Sequence, residues 1–415
     1  MASSCILWQN SRKTVVLLDL PRSIEEAQLP SSQLTGANGR QPPSKLRRLI
    51  SALPPAAPFP TPEPKTGGAE LPPTSASAQV AELMTQAAVE SALEEIRQSY
   101  NGPWCLPRIC SPPPPPPQAP QPQHQHHPAT TPPPDSGPDP TPSLPANHPP
   151  PPQPPLYHLP PSSHPLNGPL HALRPTLLTA SPPQGFDLIV LDPPWPNRSA
   201  KRKRKNRGSY RPAADAASVR ALLRQVPVAS RLAPGGLVAV WVTNAARFVE
   251  MLTGSRRGRG HSRNGDGGGG VGVGGLFAEW DVELVGEWVW LKVTTGGEPV
   301  VDVESRWRKP WERLLIARKR GGGGDDGSGC GGTGRGSVEG KVIVAVPDVH
   351  SRKPNLRPLF EDLLPERYEA LEVFARNLTA GWWAWGDEVL LFQRRECWVE
   401  PGEADEDESN TGTAS

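Results

Sequence analysis

Apolar residues are unevenly spread along the chain, and their spacing changes character from one segment to the next. Near the start, two short apolar runs flank the polar turn Asn10, Ser11, Arg12 and Lys13, which predicts a β-hairpin over residues 5–19. An isolated hairpin is marginal in water, so it is expected to pack on another part of the chain. Residues 78–100 combine good helix formers with apolar spacings of three and four, which predicts a helix. From residue 185, strand-like apolar runs at 188–191, 237–243, 282–293, 313–317, 341–346, 370–374 and 388–393 alternate with amphipathic stretches at 216–232, 245–252 and near 356–364. This alternation implies an α/β protein with a mostly parallel sheet covered on both faces.

Composition limits how much of the chain can fold. The 56 prolines and 40 glycines among 415 residues approach a quarter of the chain, and 36% is hydrophobic. The expected organisation is a hairpin segment at 1–30, a disordered linker at 31–77, a helical segment at 78–109 and a Pro-rich disordered linker at 110–184. A folded domain at 185–396 follows, interrupted by glycine-rich insertions at 254–275 and 321–336, and then an acidic disordered tail at 397–415. The net charge of +2 names no partner. Five scattered cysteines form neither a disulfide framework nor a metal pair. No apolar run reaches the ~20 residues of a membrane span, and the first residues lack a signal-peptide pattern, so a soluble intracellular protein is expected. No metal site is expected. The glycines 270, 272 and 275 match a dinucleotide fingerprint by letter, but they sit in a glycine tract that follows no strand.

The chemistry concentrates where the first strand of the folded domain ends, at Asp192, Pro193, Pro194 and Trp195. Ligands of open α/β sheets bind beyond the carboxyl ends of the strands. Proline carries no N–H, and an ionised aspartate only accepts hydrogen bonds. The group is therefore suited to a ligand that donates two hydrogen bonds, such as the exocyclic amine of a nucleobase, with the indole as a stacking face. Acceptors on both N–H bonds favour the more tetrahedral nitrogen that develops as the amine attacks. The plainer alternative is a strand closed by a Pro-Pro stop and a core tryptophan.

These residues resemble the catalytic motif of the MT-A70 family of adenine N6-methyltransferases, and the resemblance extends along the chain. DPPWPNRS at 192–199, WVTN at 241–244, EWVWLK at 287–292, Lys309 with Pro310, SRKP at 351–354, LEVFARN at 371–377 and GWWAWG at 381–386 follow in family order. The combination is similar to the methyltransferase-like protein 4 branch. The resemblance implies a Rossmann-like fold with permuted motif order and S-adenosylmethionine as cofactor. It places Lys353 at the methionine carboxylate and Glu372, Arg376, Asn377, Asp387 and Glu388 around the rest of the cofactor. An internal ion pair is the alternative for Glu372 and Arg376. The family's Gly-Asn-Glu/Gln stands here as Gly386, Asp387 and Glu388, and the cofactor strand lacks the usual glycine-rich turn.

On the substrate side the candidates are Asn197 and the basic residues Lys201, Arg202, Lys203, Arg204, Lys205 and Arg207. These suit phosphate contacts, and the basic run equally suits a nuclear localisation signal. Tyr210 and Trp290 are candidate walls of the adenine pocket, and Lys292 is a candidate contact by family position. The expected activity is methylation of adenosine N6 in RNA, with 2′-O-methyladenosine in small nuclear RNA as the narrower expectation. The alternatives are DNA adenine and a non-catalytic RNA-binding scaffold. The expected partner is nucleic acid, with no protein partner named; the expected location is the nucleus, with the cytoplasm as alternative.

Overall fold

The computed structural model describes residues 4–34, 46–60, 76–110, 155–196, 215–254, 274–305, 308–320 and 336–400. Its strands in chain order are β1 (Ile6–Gln9), β2 (Val15–Leu18), β3 (Arg48–Ser51), β4 (Ile109–Cys110), β5 (His164–Asn167), β6 (Phe186–Leu191) and β7 (Leu232–Val242). They continue as β8 (Val282–Lys292), β9 (Trp311–Lys319), β10 (Lys341–Ala345), β11 (Ala370–Val373), β12 (Trp383–Gly386) and β13 (Trp398–Val399). Ten of them form one sheet in the order β1-β2-β10-β8-β9-β7-β6-β11-β12-β5, and β13-β3-β4 make a small second one. In the large sheet β1 and β9 run against their neighbours, and the other strands are mutually parallel.

Alternation along each strand divides the core into two faces. On one face, Ile189, Leu191, Val238, Val240, Val242, Leu371 and Val373 pack under the helices Leu170–Ala180, Ala216–Leu223 and Ala246–Thr253. Further along that face, Val289, Leu291, Val342 and Val344 receive Val89, Ala92, Leu93 and Ile96 of the helix Ala76–Ser99. The opposite face carries Leu188, Val190, Leu237, Ala239, Trp241, Trp288, Trp290, Leu314, Ile316 and Ala370. It is covered by Leu20 and Ile24 of the helix Leu20–Ala27 and by Leu356, Leu359 and Phe360.

The hairpin at 5–19 forms as expected and finds its support in the sheet itself, because β2 pairs in parallel with β10 through Val342↔Val15 and Val344↔Leu17. The expected helix at 78–100 is the helix Ala76–Ser99. Other expectations need correction. The 31–77 stretch carries the short helix Ser31–Leu34 and strand β3, whose Leu49 is buried against the main core. A two-residue apolar signal is too short to read locally; its partners are β13 and β4. The 110–184 stretch ends in β5 and the helix Leu170–Ala180, which holds Pro175 inside it. The 216–232 helix is two pieces, Ala216–Leu223 and Val228–Arg231, divided just before Pro227. The run at 388–393 is turns rather than a strand, and the strand of that region is β12, which is buried on both faces and so shows no alternation of apolar and polar residues. Residues 397–400 belong to the fold through β13, while 401–415, the greater part of both glycine-rich insertions and 111–154 lie outside the described residues.

Leu17 is fully buried between β1 and β10, so Leu17→Ala is expected to cost about 2–5 kcal/mol of stability. Chemical denaturation would show this as a lower midpoint with an unchanged slope. A loss restricted to local fraying would show that the hairpin is not part of the cooperative unit.

Candidate active site

Strand parity assembles the site. In β6, Leu188 and Val190 face the side of the sheet that also carries Ala370, so Asp192, the residue after the strand, continues onto that side. The same alternation brings Glu372 of β11, Trp241 of β7, Glu312 of β9, and Trp290 and Lys292 of β8 to the same face. Because β9 runs antiparallel, its beginning lies level with the ends of its neighbours, and Trp290 pairs directly with Glu312. Asn244, just past β7, donates its side-chain amide to the Trp311 carbonyl at 2.7 Å and ties these two ends together.

The charged side chains form an alternating chain. Lys292 Nζ is 2.5 Å from Glu312 Oε1. Lys353 Nζ is 3.2 Å from Glu312 Oε2, and it donates to Asp192 Oδ1 and Oδ2 at 3.0 and 3.1 Å. Burial alone would raise Glu312, but the two ammonium groups outweigh it and hold the carboxyl down at about 2. Burial likewise favours a neutral Lys353, and the carboxylates of Asp192 and Glu312 outweigh it, raising the ammonium above its ordinary range. Glu372 behaves oppositely. Burial first, and then the neighbouring charge of Asp192, push its carboxyl up to about 8, with Lys353 pulling weakly the other way. At neutral pH Glu372 is therefore mostly protonated and can donate a hydrogen bond, while Glu312 is a pure acceptor.

The backbone after Asp192 is closed on itself, because the Trp195 N–H donates to the Pro193 carbonyl at 2.8 Å. Pro193 thus spends one acceptor position internally. Trp195 turns to the other face of the sheet, where it is 7% exposed, packs on Phe248 with 4.6 Å between ring centroids, and donates its indole N–H to the Trp241 carbonyl at 2.7 Å. In this arrangement it is a wall of the turn rather than an open stacking face. Trp290 is buried edge-on to Trp241, its indole N–H has no hydrogen-bond partner among the described residues, and the Lys292 ammonium lies 4.5 Å from its ring centre.

The residues assigned to the cofactor gather at the ends of β11 and β12. The chain leaves β11 through Phe374 in the left-handed region (φ 63°), with the Phe374 N–H bonded to the Trp385 carbonyl at 2.7 Å. A Cβ on Gly386 would lie 3.1 Å from Phe374 Cα, so this approach of the two strand ends leaves little room for a side chain. Arg376 is buried and donates to Glu388 at 3.0 Å and to the Ser351 carbonyl at 3.2 Å; its ion pair is with Glu388 and not with Glu372. Asn377 is buried beside it, and Asp387 is exposed. Asn197, Lys201, Arg202, Lys203, Arg204, Lys205, Arg207 and Tyr210 lie outside the described residues. No group of three or more His, Cys, Asp or Glu that suits a metal ion occurs among the described residues, and no helix among them is long and apolar enough to cross a membrane.

Lys353 sits on a loop pinned from the N-terminal part of the chain. Arg108 donates to the Val346 and Pro347 carbonyls, both at 2.9 Å, and the Ala52 N–H donates to Asp348 at 2.6 Å. Asp348 also pairs with buried Arg352, which reaches the Ile50 carbonyl at 3.1 Å. On the far side of Lys353, the Asn355 N–H donates to Ser23 Oγ at 3.0 Å, and Arg357 reaches the carbonyls of Glu26 and Leu29.

The MT-A70 family model matches residues 186–254 and 271–388, which include this entire strand-end cluster apart from the N-terminal pins. The chain is 45% identical over 395 residues to the N6-methyladenosine RNA methyltransferase MTA1 of Cryphonectria parasitica, a match covering 95% of this chain and 94% of that protein. The chain belongs to the MT-A70 family. Another member, the N6-methyladenosine RNA methyltransferase MTA1 of Pyricularia oryzae, is 44% identical over 96% of this chain and 97% of its own. The human N(6)-adenine-specific methyltransferase METTL4 is 33% identical over 59% of this chain and 45% of its own length. The similarity to the methyltransferase-like 4 group thus covers part of the chain, and the similarity to the two fungal proteins runs nearly its full length.

One member of this MT-A70 site was not picked out from the sequence. Glu312 lies two residues beyond Pro310 of a recognised family motif and on the apolar alternation that ends in Leu314 and Ile316. A carboxylate on the inward phase of a buried strand was the available signal.

The raised carboxyl of Glu372 has a stability consequence. In the unfolded chain it ionises near 4.3, so between about pH 4.5 and 8 the folded state holds a proton that the unfolded state has released. Stability from this group therefore falls as pH rises through that window. Glu372→Gln is expected to remove the loss, so that the variant gains on the wild type in urea midpoint between pH 5 and pH 8. An identical pH dependence in both proteins would show that Glu372 is not held protonated.

Proposed function

We propose that this adenine N6-methyltransferase acts on RNA and that Asp192, with the carbonyl of Pro194, accepts the N–H bonds of the target adenine amine. The observation that carries the reading is the Asp192 carboxylate at the end of β6, fixed by Lys353 and followed by two residues without N–H donors. Such a group holds an amine by acceptors alone and stabilises the developing charge on nitrogen. RNA is favoured because the two relatives that align along almost the whole chain are named RNA methyltransferases. DNA is the second reading, because a DNA N6-methyl methyltransferase of Caenorhabditis elegans is 32% identical over 50% of this chain and 47% of its own. A purely scaffolding role is disfavoured by the retained and electrostatically anchored Asp192.

The strand-end residues fit S-adenosylmethionine. A protonated Glu372, the Arg376–Glu388 pair, buried Asn377 and exposed Asp387 provide donors and acceptors suited to ribose hydroxyls and a base. Lys353 lies between Asp192 and Glu312 at the strand ends, and its positive charge suits the methionine carboxylate. When bound, the cofactor supplies the electrophilic methyl group. The chain's own residues hold the amine, keep its N–H bonds directed at acceptors and exclude water from the floor of the site through Trp241 and Trp290. Asn197, Lys201, Arg202, Lys203, Arg204, Lys205 and Arg207 follow the Asp192 turn in sequence and are assigned to the strand's phosphates, with Tyr210 and Lys292 assigned to the substrate.

Two measurements test this reading. Methyl transfer measured on matched RNA and DNA oligonucleotides is expected to favour RNA, with a 2′-O-methyladenosine-containing arm testing the narrower substrate; equal or faster transfer to DNA would sink the RNA assignment. Asp192→Ala is expected to lower kcat by about 10²–10³-fold or more while calorimetry still detects S-adenosylhomocysteine. Full activity in that variant would remove Asp192 from the mechanism.

A further inference from the structure

Glu312 and Asp192 share the Lys353 ammonium, so the position of Glu312 bears on how Asp192 is held. β7 lies between β9 and β6, so Lys353 spans from the β9 carboxylate to the β6 carboxylate across it. Beneath the ammonium is the ring of Trp241, 5.7 Å from Nζ, which offers no formal counter-charge. On the far side of Glu312 stands a second ammonium, that of Lys292. Glu372, the other carboxyl near Asp192, is mostly uncharged at neutral pH. Glu312 is thus the anion that separates two like charges and anchors Lys353 opposite Asp192.

We propose that Glu312 is a positioning residue for methyl transfer: by holding Lys353 from the side opposite Asp192, it fixes the orientation in which the Asp192 carboxylate meets the amine. The proposal rests on the reading of Asp192 as the amine acceptor. Without the Glu312 charge, Lys353 faces Lys292 with no carboxylate between them and swings with Asp192 or away from it. Either motion displaces the acceptor by a distance that matters, because a shift of about 1 Å at a reacting group costs on the order of 10²-fold in rate.

The loss has a direction in pH as well. The groups facing Lys353 are Asp192 from β6, Glu312 from β9, Glu372 from β11 and, behind Glu312, Lys292 from β8. Removing the Glu312 charge leaves burial and the Lys292 charge acting against the ammonium, so Lys353 gives up its proton at lower pH than in the wild type. Asp192 then loses its counter-charge, and the basic limb of the pH–rate profile moves to lower pH.

The test is steady-state methyl transfer to an RNA oligonucleotide by the full chain carrying Glu312→Gln or Glu312→Asp, beside the wild type and Asp192→Ala. Glu312→Gln is expected to lower kcat by about 10–10²-fold, to leave the KM for RNA near wild type, and to bring the basic limb to lower pH. Glu312→Asp, which keeps the charge, is expected to recover part of kcat and to restore the wild-type basic limb. Wild-type kcat in Glu312→Gln overturns the proposal. So does a defect confined to the KM for RNA, which would make Glu312 a substrate contact, or a pH profile that the two variants share. If Glu312→Gln does not fold, Glu312→Asp decides, since reduced kcat with an unmoved basic limb supports positioning and unchanged kcat refutes it. Full activity of Asp192→Ala would instead bring down the acceptor reading itself, whatever the Glu312 variants do.

Discussion

The contact between Lys353 and Asp192 is the constraint around which the site is arranged. A carboxylate at the end of a buried strand needs a counter-charge, and an ammonium brought to that place must be delivered by a loop that does not move. Glu312 and the pins on the Lys353 loop serve these two needs. Glu312 supplies the second carboxylate that keeps the ammonium charged. The pins from Arg108, Ala52, Ser23 and the carbonyls of Glu26 and Leu29 hold the loop on either side of Lys353. The two neighbouring glutamates then diverge for a clear reason. Glu312 faces two ammonium groups and stays ionised, whereas Glu372 faces a carboxylate in a buried place and keeps its proton. Two carboxyl groups on one sheet face thereby acquire opposite hydrogen-bonding roles.

The parts of this arrangement legible in the sequence are those written in short-range pattern. The run Leu188–Leu191 ending in Asp192 announces both a buried strand and its functional end, and the alternation in 282–293 and 341–346 places β8 and β10 within a residue or two. What escaped was decided by tertiary partners. β3 and β13 are strands of four and two residues whose pairing joins positions about 350 apart in the chain, as in Trp398↔Leu49. β5 contains a proline and stands at the sheet edge, where a missing donor is tolerated. β12, with the sequence WAWG, shows no apolar–polar alternation because both of its faces are buried.

Trp195 shows a different limit. Its residue type suited a stacking face, and its neighbours in sequence placed it at the site. Its side is set by the tight turn at Pro193, which carries the chain from one face of the sheet to the other within three residues. A turn closed by one hydrogen bond between Trp195 and Pro193 leaves no sequence signature beyond the prolines themselves. The same turn directs the indole to the Trp241 carbonyl, so the residue that looked like a ligand platform fastens the end of β6 to the end of β7.

The position of β2 between β1 and β10 has a consequence for how the chain reaches this structure. Its inner partner comes from residues 341–345, more than three hundred positions further along the chain, and so do the loop carbonyls that accept from Arg108. Entropic closure of so long a loop grows only logarithmically with length, so the equilibrium cost is modest, but the order of events is fixed. During synthesis the hairpin emerges before β10 with an apolar, unpaired edge, and it acquires its neighbour after some three hundred more residues have been added. Folding of the whole sheet is therefore a late, high-contact-order step, and until β10 arrives the exposed edge of β2 is a site for wrong pairing that a chaperone would need to shield.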